Sequence, residues 1–245
     1  MKIFFEIHKD LPREGPGDIR STQRAFGLMN GLPTDPQILD IGCGPGKQTL
    51  DLAAISSGNI TALDNHQPFL DHLQTLINAQ GLANRIRTVN GSMFELEFPA
   101  QSFDVLWSEG AIYIIGFEQG LKTWRPLLKP GGYLAVSEIS WLKPDPPQDV
   151  YSFWSAEYPG MRSVEQNLLT LQDCQYRETG HFCVPSSSWW TDYYTPMLAR
   201  LPRMRTEFRD DPEALACIDE TEKEIDMYRK YSDWYGYVFY VAQAG

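Results

Sequence analysis

Asp40 stands immediately before three glycines at alternate positions, in the run Asp40-Ile41-Gly42-Cys43-Gly44-Pro45-Gly46. Apolar residues precede it and helix-forming residues follow, which reads as strand, tight loop and helix. Glycine serves where a turn takes positive φ, and where backbone must come close to a ligand with no Cβ in the way. The helix after the loop directs its first N–H groups at the loop's occupant, which favours a carboxylate or phosphate there. This is nucleotide-binding chemistry. The spacing is G-x-G-x-G, distinct from the dinucleotide G-x-G-x-x-G and from the phosphate loop G-x-x-x-x-G-K-[ST]. Asp64 follows at the end of the next apolar run, where an acidic side chain accepts hydrogen bonds from both ribose hydroxyls of a nucleoside. Glu109 and Glu138 each follow a further strand-like run and could take a proton from a reacting hydroxyl or ammonium, with Tyr113 orienting it. His66 and His72 fall on a helix and His181 in a strand, positions where a lone histidine is more often structural.

Positioning these groups requires several strands that end at one rim. After the glycine loop the pattern alternates: helix over 47–54, strand over 59–63, then a helical stripe of Phe69, Leu70, Leu73, Leu76 and Ile77 stopped by Gly81. A third strand over 85–89 and a fourth over 103–108 follow, the latter running into Glu109-Gly110-Ala111-Ile112-Tyr113. Phe117, Leu121, Trp124 and Leu128 make the next helical stripe, ended by Lys129-Pro130-Gly131-Gly132, and a fifth strand over 133–137 leads to Glu138. Such alternation predicts an α/β protein with a parallel sheet, whose ligands bind outside the carboxyl ends of the strands. Upstream, 11–17 is a Pro/Gly loop, and Asp18 caps a helix with Ile19, Thr22, Phe26 and Met29 on one face.

The glycine run resembles the first motif of class I S-adenosylmethionine-dependent methyltransferases. Leu127-Leu128-Lys129-Pro130-Gly131-Gly132-Tyr133 and the residues to Glu138 are similar to that family's passage from fourth helix to fifth strand, so the likeness extends over 37–138. The branch it most resembles contains ubiquinone and menaquinone biosynthesis enzymes and other small-molecule methyltransferases. The resemblance implies a Rossmann-like three-layer sandwich: a seven-stranded, mostly parallel sheet with an antiparallel last strand, plus helical and aromatic substrate-covering insertions. It implies S-adenosylmethionine as cofactor, held by Asp40, Gly42, Cys43, Gly44, Gly46, Asp64, Asn65, Ser92, Met93 and Glu109. Ser92 and Met93 would lie along the adenine. The catalytic candidates are Glu109, Glu138 and Tyr113, and no metal is expected. The segment 15–22 has a possible lid role, and a homodimer is a common state in that family. A D/N-P-P-Y/F motif, typical of enzymes that methylate nucleobase amines, is replaced here by Ser108-Glu109-Gly110-Ala111.

The expected organisation is one domain: a leader over 1–36, a core over 37–138, insertions at 139–163 and 185–232, and a final strand at 233–245. Within the later part, 164–173 and 196–201 read as helices, as does 212–231, while 176–184 and 235–242 read as strands. The insertions are rich in aromatics, and a subset of Trp141, Trp154, Trp189 and Tyr193 is expected to line an acceptor pocket. Trp and Tyr faces attract cations, so the acceptor is expected to be an amine or an aromatic compound. With a formal net charge of -11 and no dense basic run, the chain disfavours a nucleic-acid partner. The four cysteines form no C-x-x-C pair, which fits reduced thiols in a cytoplasmic protein, and no apolar stretch reaches membrane-spanning length. The function expected is methyl transfer to a small molecule at O, N or C. Alternatives are other chemistry on the same cofactor, or a non-catalytic nucleoside-binding module that acts through a protein partner.

Overall fold

A computed structural model describes residues 2–245, and of residues 2, 4 and 5 the backbone alone. Helices α1 (Lys2–His8) and α2 (Ile19–Phe26) precede the sheet. Asp18 caps α2, its carboxylate accepting from the backbone N–H of Ser21 at 2.8 Å. The inward face of α2 is Ser21, Thr22 and Ala25, whereas Ile19 is exposed. Of the expected stripe, Thr22, Phe26 and Met29 pack inward and Ile19 alone departs. Close packing on the next helix selects small side chains here, and Ile19 points to solvent.

The alternating region gives β1 (Gln37–Ile41), α3 (Lys47–Ile55), β2 (Asn59–Asp64), α4 (Gln67–Ala79), β3 (Ile86–Asn90), β4 (Phe103–Glu109), α5 (Phe117–Trp124) and β5 (Leu128–Trp141). Leu128 opens β5 and does not continue the α5 stripe. The helix stops at Trp124, a 3-10 turn covers Arg125–Leu127, and the Lys129–Gly132 stretch lies within an irregular start to the strand, where the pairing with β4 shifts register. Beyond β5 come α6 (Gln148–Glu157), β6 (Arg162–Ser163), α7 (Val164–Asp173) and β7 (Tyr176–Cys183). Helix α6 lies within the helical and aromatic insertion expected over 139–163, and Pro147 stands at its N-cap. Then α8 (Ser187–Trp189) runs through a π-helical turn at Trp190–Tyr194 into α9 (Thr195–Glu207), followed by α10 (Pro212–Tyr231) and β8 (Tyr235–Ala244).

The strands are ordered β3-β2-β1-β4-β5-β8-β7, and the short β6 pairs with the end of β5. Strands β1 to β5 are mutually parallel, while β8 inserts between β5 and β7, antiparallel to both. Apolar side chains fill both faces of this sheet: Ile38, Val105, Trp107 and Phe239 among one cluster, Leu39, Leu106, Leu134 and Tyr240 among the other. Fully buried parallel strands need apolar residues at successive positions, as Ile38-Leu39 and Val105-Leu106-Trp107 provide. A third apolar cluster lies outside the sheet, under α6, α9 and α10, and includes Trp154, Trp189, Tyr194 and Tyr228. It fixes the aromatic segments over the carboxyl edge.

Candidate active site

The strand order alone lays out the site. Along the carboxyl edge the strand ends run β3 (Ser92, Met93 just beyond), β2 (Asp64), β1 (Gly42) and β4 (Glu109, Gly110), with β5 continuing past them to Trp141. Successive strands lie about 4.8 Å apart, so an elongated ligand across this edge touches each in turn. At Gly42, φ is 73°, and a Cβ there would lie 2.6 Å from the Cβ of Ala111, so only glycine fits between the β1 and β4 ends. The loop's own amides are occupied: Gly42 and Cys43 donate to Leu63 O at 2.9 and 3.0 Å, and Gly44 donates to Asp64 Oδ2 at 2.8 Å. The loop therefore admits a ligand by close approach and not chiefly by donating these N–H groups. Asp64 also accepts from His66 N through Oδ1 at 2.8 Å. Each carboxylate oxygen has a second acceptor site, so Asp64 can still take two hydroxyl donors.

A cavity of about 240 Å³ occupies this edge. Of the residues expected to hold a cofactor, Gly42, Cys43, Gly44, Asp64, Asn65, Ser92, Met93 and Glu109 line it, and so does Tyr113. Asp40 and Gly46 do not. Asp40 is fully buried beneath the loop, where its Oδ2 accepts from Thr49 Oγ1 at 2.6 Å, and burial pushes its carboxyl up to about 7. A Cβ on Gly46 would lie 2.3 Å from Leu73, so that glycine lets α4 pack on the loop. Both shape the site from behind.

Glu109 is placed differently from the expectation. Its Oε1 accepts from Trp107 Nε1 at 2.9 Å and Thr22 Oγ1 at 3.1 Å, and its Oε2 accepts from Arg13 at 2.8 Å. Burial raises its pKa, with Arg13 and the two hydrogen bonds opposing. Oxygens so occupied suit a latch for the leader better than a proton acceptor. Arg13, 3% exposed, joins Glu109 to Asp51 of α3 and lines the cavity. Gly17 packs against this ion pair: a Cβ there would lie 2.9 Å from both Arg13 and Glu109. Gly15 and Pro16 cover the same cavity. Nothing in the local pattern singled out Arg13, since its partners are remote in sequence.

A second cavity, of about 180 Å³, adjoins the first and shares Glu14, Pro16, Gly110 and Tyr113 with it. Trp154, Trp189 and Tyr193 line it, whereas Trp141 does not; Trp141 stacks on Tyr151 at the end of β5. Glu138 lines neither cavity. It is 2% exposed within β5, its carboxyl is pushed up to about 8 by burial, and its hydrogen-bond partner is Tyr158. The Tyr158 ring lies 5.9 Å from that of Tyr113, and both tyrosines line the second cavity. Glu138, expected at the rim, is set back from both cavity walls. His66 caps α4 and faces the first cavity, His72 is exposed, and His181 bonds Glu178 on β7. The four cysteines form no disulfide, and no cluster of metal-ligating side chains occurs among the described residues. No helix there is long and apolar enough to cross a membrane.

Residues 38–132 match the family model described as "Methyltransferase domain". Sterol 24-C-methyltransferase of Neurospora crassa is 30% identical over 116 residues, which are 47% of this chain and 30% of that protein. The chain spans about a third of the length of the curated relatives it matches. A SAM-dependent methyltransferase from Geobacter sulfurreducens, solved with S-adenosyl-L-homocysteine, superposes with a TM-score of 0.84 at 18% identity, covering 100% of this chain and 98% of that one. The [4+2]-cyclase SpnF superposes with a TM-score of 0.75 at 18% identity, over 99% and 91% of the two chains. The fold is the Rossmann-like methyltransferase fold.

Proposed function

We propose that this chain, which carries the methyltransferase-domain signature over residues 38–132, transfers a methyl group from S-adenosylmethionine to a small-molecule acceptor. The observation that carries the reading is the pair of joined cavities. One lies along the glycine loop and Asp64, the other under the aromatic insertions, and Gly110 and Tyr113 stand at their junction.

The residues present fit the cofactor. Asp64 keeps two acceptor sites for the ribose hydroxyls, and the glycine cradle at Gly42 would be filled by any Cβ. Ser92 and Met93 flank the β3 end, where the adenine would lie, and Arg13 lines the cavity as a cation for the methionyl carboxylate. When bound, S-adenosylmethionine supplies an electrophilic methyl on a sulfonium. The protein's part is positioning. Bringing acceptor and methyl into line across the Gly110–Tyr113 junction can supply several kcal/mol, up to about ten in model reactions. The leader segment, latched by Arg13 and Glu109, lines both cavities through Glu14 and Pro16.

Calorimetric titration with S-adenosylmethionine and S-adenosylhomocysteine tests the first half of this reading; binding of both is expected. Incubation with methyl-labelled cofactor and panels of amines, phenols and quinone precursors tests the second. Since one fold also serves a cyclase, cofactor binding with no label transferred to any acceptor would overturn the transferase reading.

A further inference from the structure

The second cavity has an uneven chemistry. Its walls carry aromatic rings from several elements: Tyr113 after β4, Trp154 and Tyr158 in and after α6, Trp189 and Tyr193 around α8, and Tyr237 from β8. Three carboxylates, Glu14, Glu157 and Glu224, share those walls, and no described lining residue is Lys, Arg or His. The imidazole of His8 stands behind Glu14, 2.8 Å from its Oε2 and edge-on to the Tyr193 ring. The other oxygen of Glu14 is buried with no hydrogen-bond partner. Glu224 reaches in from α10, and its Oε1 accepts from Tyr194 at 2.7 Å.

We propose that this chamber is a cation box and that the methyl acceptor is a small amine, bound there as its ammonium. The proposal rests on the transferase reading above and names its substrate class. Three physical arguments favour this occupant. Ring faces attract a desolvated cation through the negative face of the ring quadrupole. A ligand without donors would strip water from Glu224 and Glu14 and return nothing, and a neutral donor returns only one partner's charge, whereas an ammonium replaces that water with hydrogen bonds between opposite charges. An anionic head group would meet three carboxylates and no lining cation.

The step then balances. The ammonium gives a proton to a chamber carboxylate, Glu224 or Glu14, which frees the nitrogen lone pair. Nitrogen bonds to the methyl carbon as the carbon–sulfur bond breaks, and that electron pair stays on sulfur. The products are a methylated ammonium and the neutral thioether.

The test uses the whole chain and two probes of equal shape, choline and its neutral carbon isostere 3,3-dimethylbutan-1-ol, each titrated with and without S-adenosylhomocysteine. Choline is expected to bind at least 10-fold tighter than the alcohol. Glu224→Gln is expected to remove most of that preference and leave S-adenosylhomocysteine affinity unchanged, which separates the chamber from the protein's general acidity. Tyr113→Leu, at a ring 43% exposed, should weaken choline several-fold with little risk to folding. Equal affinity for the two probes, or tighter binding of the alcohol, overturns the proposal even if Glu224→Gln cannot be prepared. The S-adenosylhomocysteine titration is read separately. Its failure overturns the transferase reading and the acceptor role with it, whereas its success without a choline preference overturns the cation box alone.

Discussion

Single side chains carry the sharpest consequences. Asp64 braces the loop through Gly44 and His66 and has acceptor sites left for two hydroxyls. Asp64→Ala should weaken S-adenosylhomocysteine by roughly 100-fold or more, since hydrogen bonds to a charged group contribute about 1.5–3 kcal/mol each. Calorimetry on a variant whose circular dichroism is unchanged measures this, and native-like affinity would remove Asp64 from the ribose. Two other carboxyls make stability depend on pH. Asp40 and Glu138 are raised by burial to about 7 and about 8, so the folded chain holds their protons more tightly than the unfolded one. Between pH ~4 and those values the unfolded state has lost the protons and the native state has not; the stability conferred by them is full below pH ~4 and declines as pH rises. The thermal midpoint of Asp40→Asn or Glu138→Gln, relative to wild type, should therefore climb from pH 5 to pH 8. A difference that is flat with pH would show that neither carboxyl is raised.

Among elements, the leader ties the site to the rest of the molecule: Ile7 and Leu11 pack in the third apolar cluster, and Arg200 donates to Ile7 O at 2.8 Å. It is held over the site by Arg13, which bridges Asp51 and Glu109, and by Thr22 on the same glutamate. Breaking a buried ion pair from one side typically costs about 3–5 kcal/mol. The loop between α1 and α2 can relieve that cost by opening locally, so Arg13→Ala should raise protease cleavage and amide exchange within 9–18 more than it lowers the global melting point. Cofactor affinity should fall in parallel, and unchanged exchange there would separate the leader from the site. Glu109→Gln should reproduce this pattern, with cofactor affinity and turnover lost together; a loss confined to turnover would return Glu109 to the role of base. These contacts mark the limit of legibility in the sequence. Strands β1, β2 and β4 were legible because each is a short apolar run bounded by turn residues, and the places of Gly42 and Asp64 along the first cavity were legible because a strand's end fixes the residues at its tip. Arg13 was not, because its partners Asp51 and Glu109 are remote in sequence, nor were Glu14, Glu224 and Tyr237, which the second cavity gathers from segments more than two hundred residues apart. Glu138 misled for a related reason: β5 continues to Trp141, so a residue expected at the rim sits inside the strand.

For the molecule as a whole, the decisive element is the last strand. β8 lies between β5 and β7, and β7 has no other strand partner in the sheet. The same strand carries Tyr237 into the chamber and Tyr235, Phe239 and Tyr240 into the apolar clusters. Removal of 235–245 should therefore cost far more than a tail usually does, yielding a chain that binds a hydrophobic dye such as ANS and melts without a cooperative transition. A cooperative melt would show that the half built from β1 to β5 stands alone. The arrangement also sets an order of events during synthesis. The part that contains the glycine loop and Asp64 leaves the ribosome first and can pair its strands at once, because their contacts are comparatively near in sequence. The acceptor chamber has no such freedom. Its wall strand is made after both strands it lies between, so a nascent chain holds the glycine loop and Asp64 well before the second cavity can close.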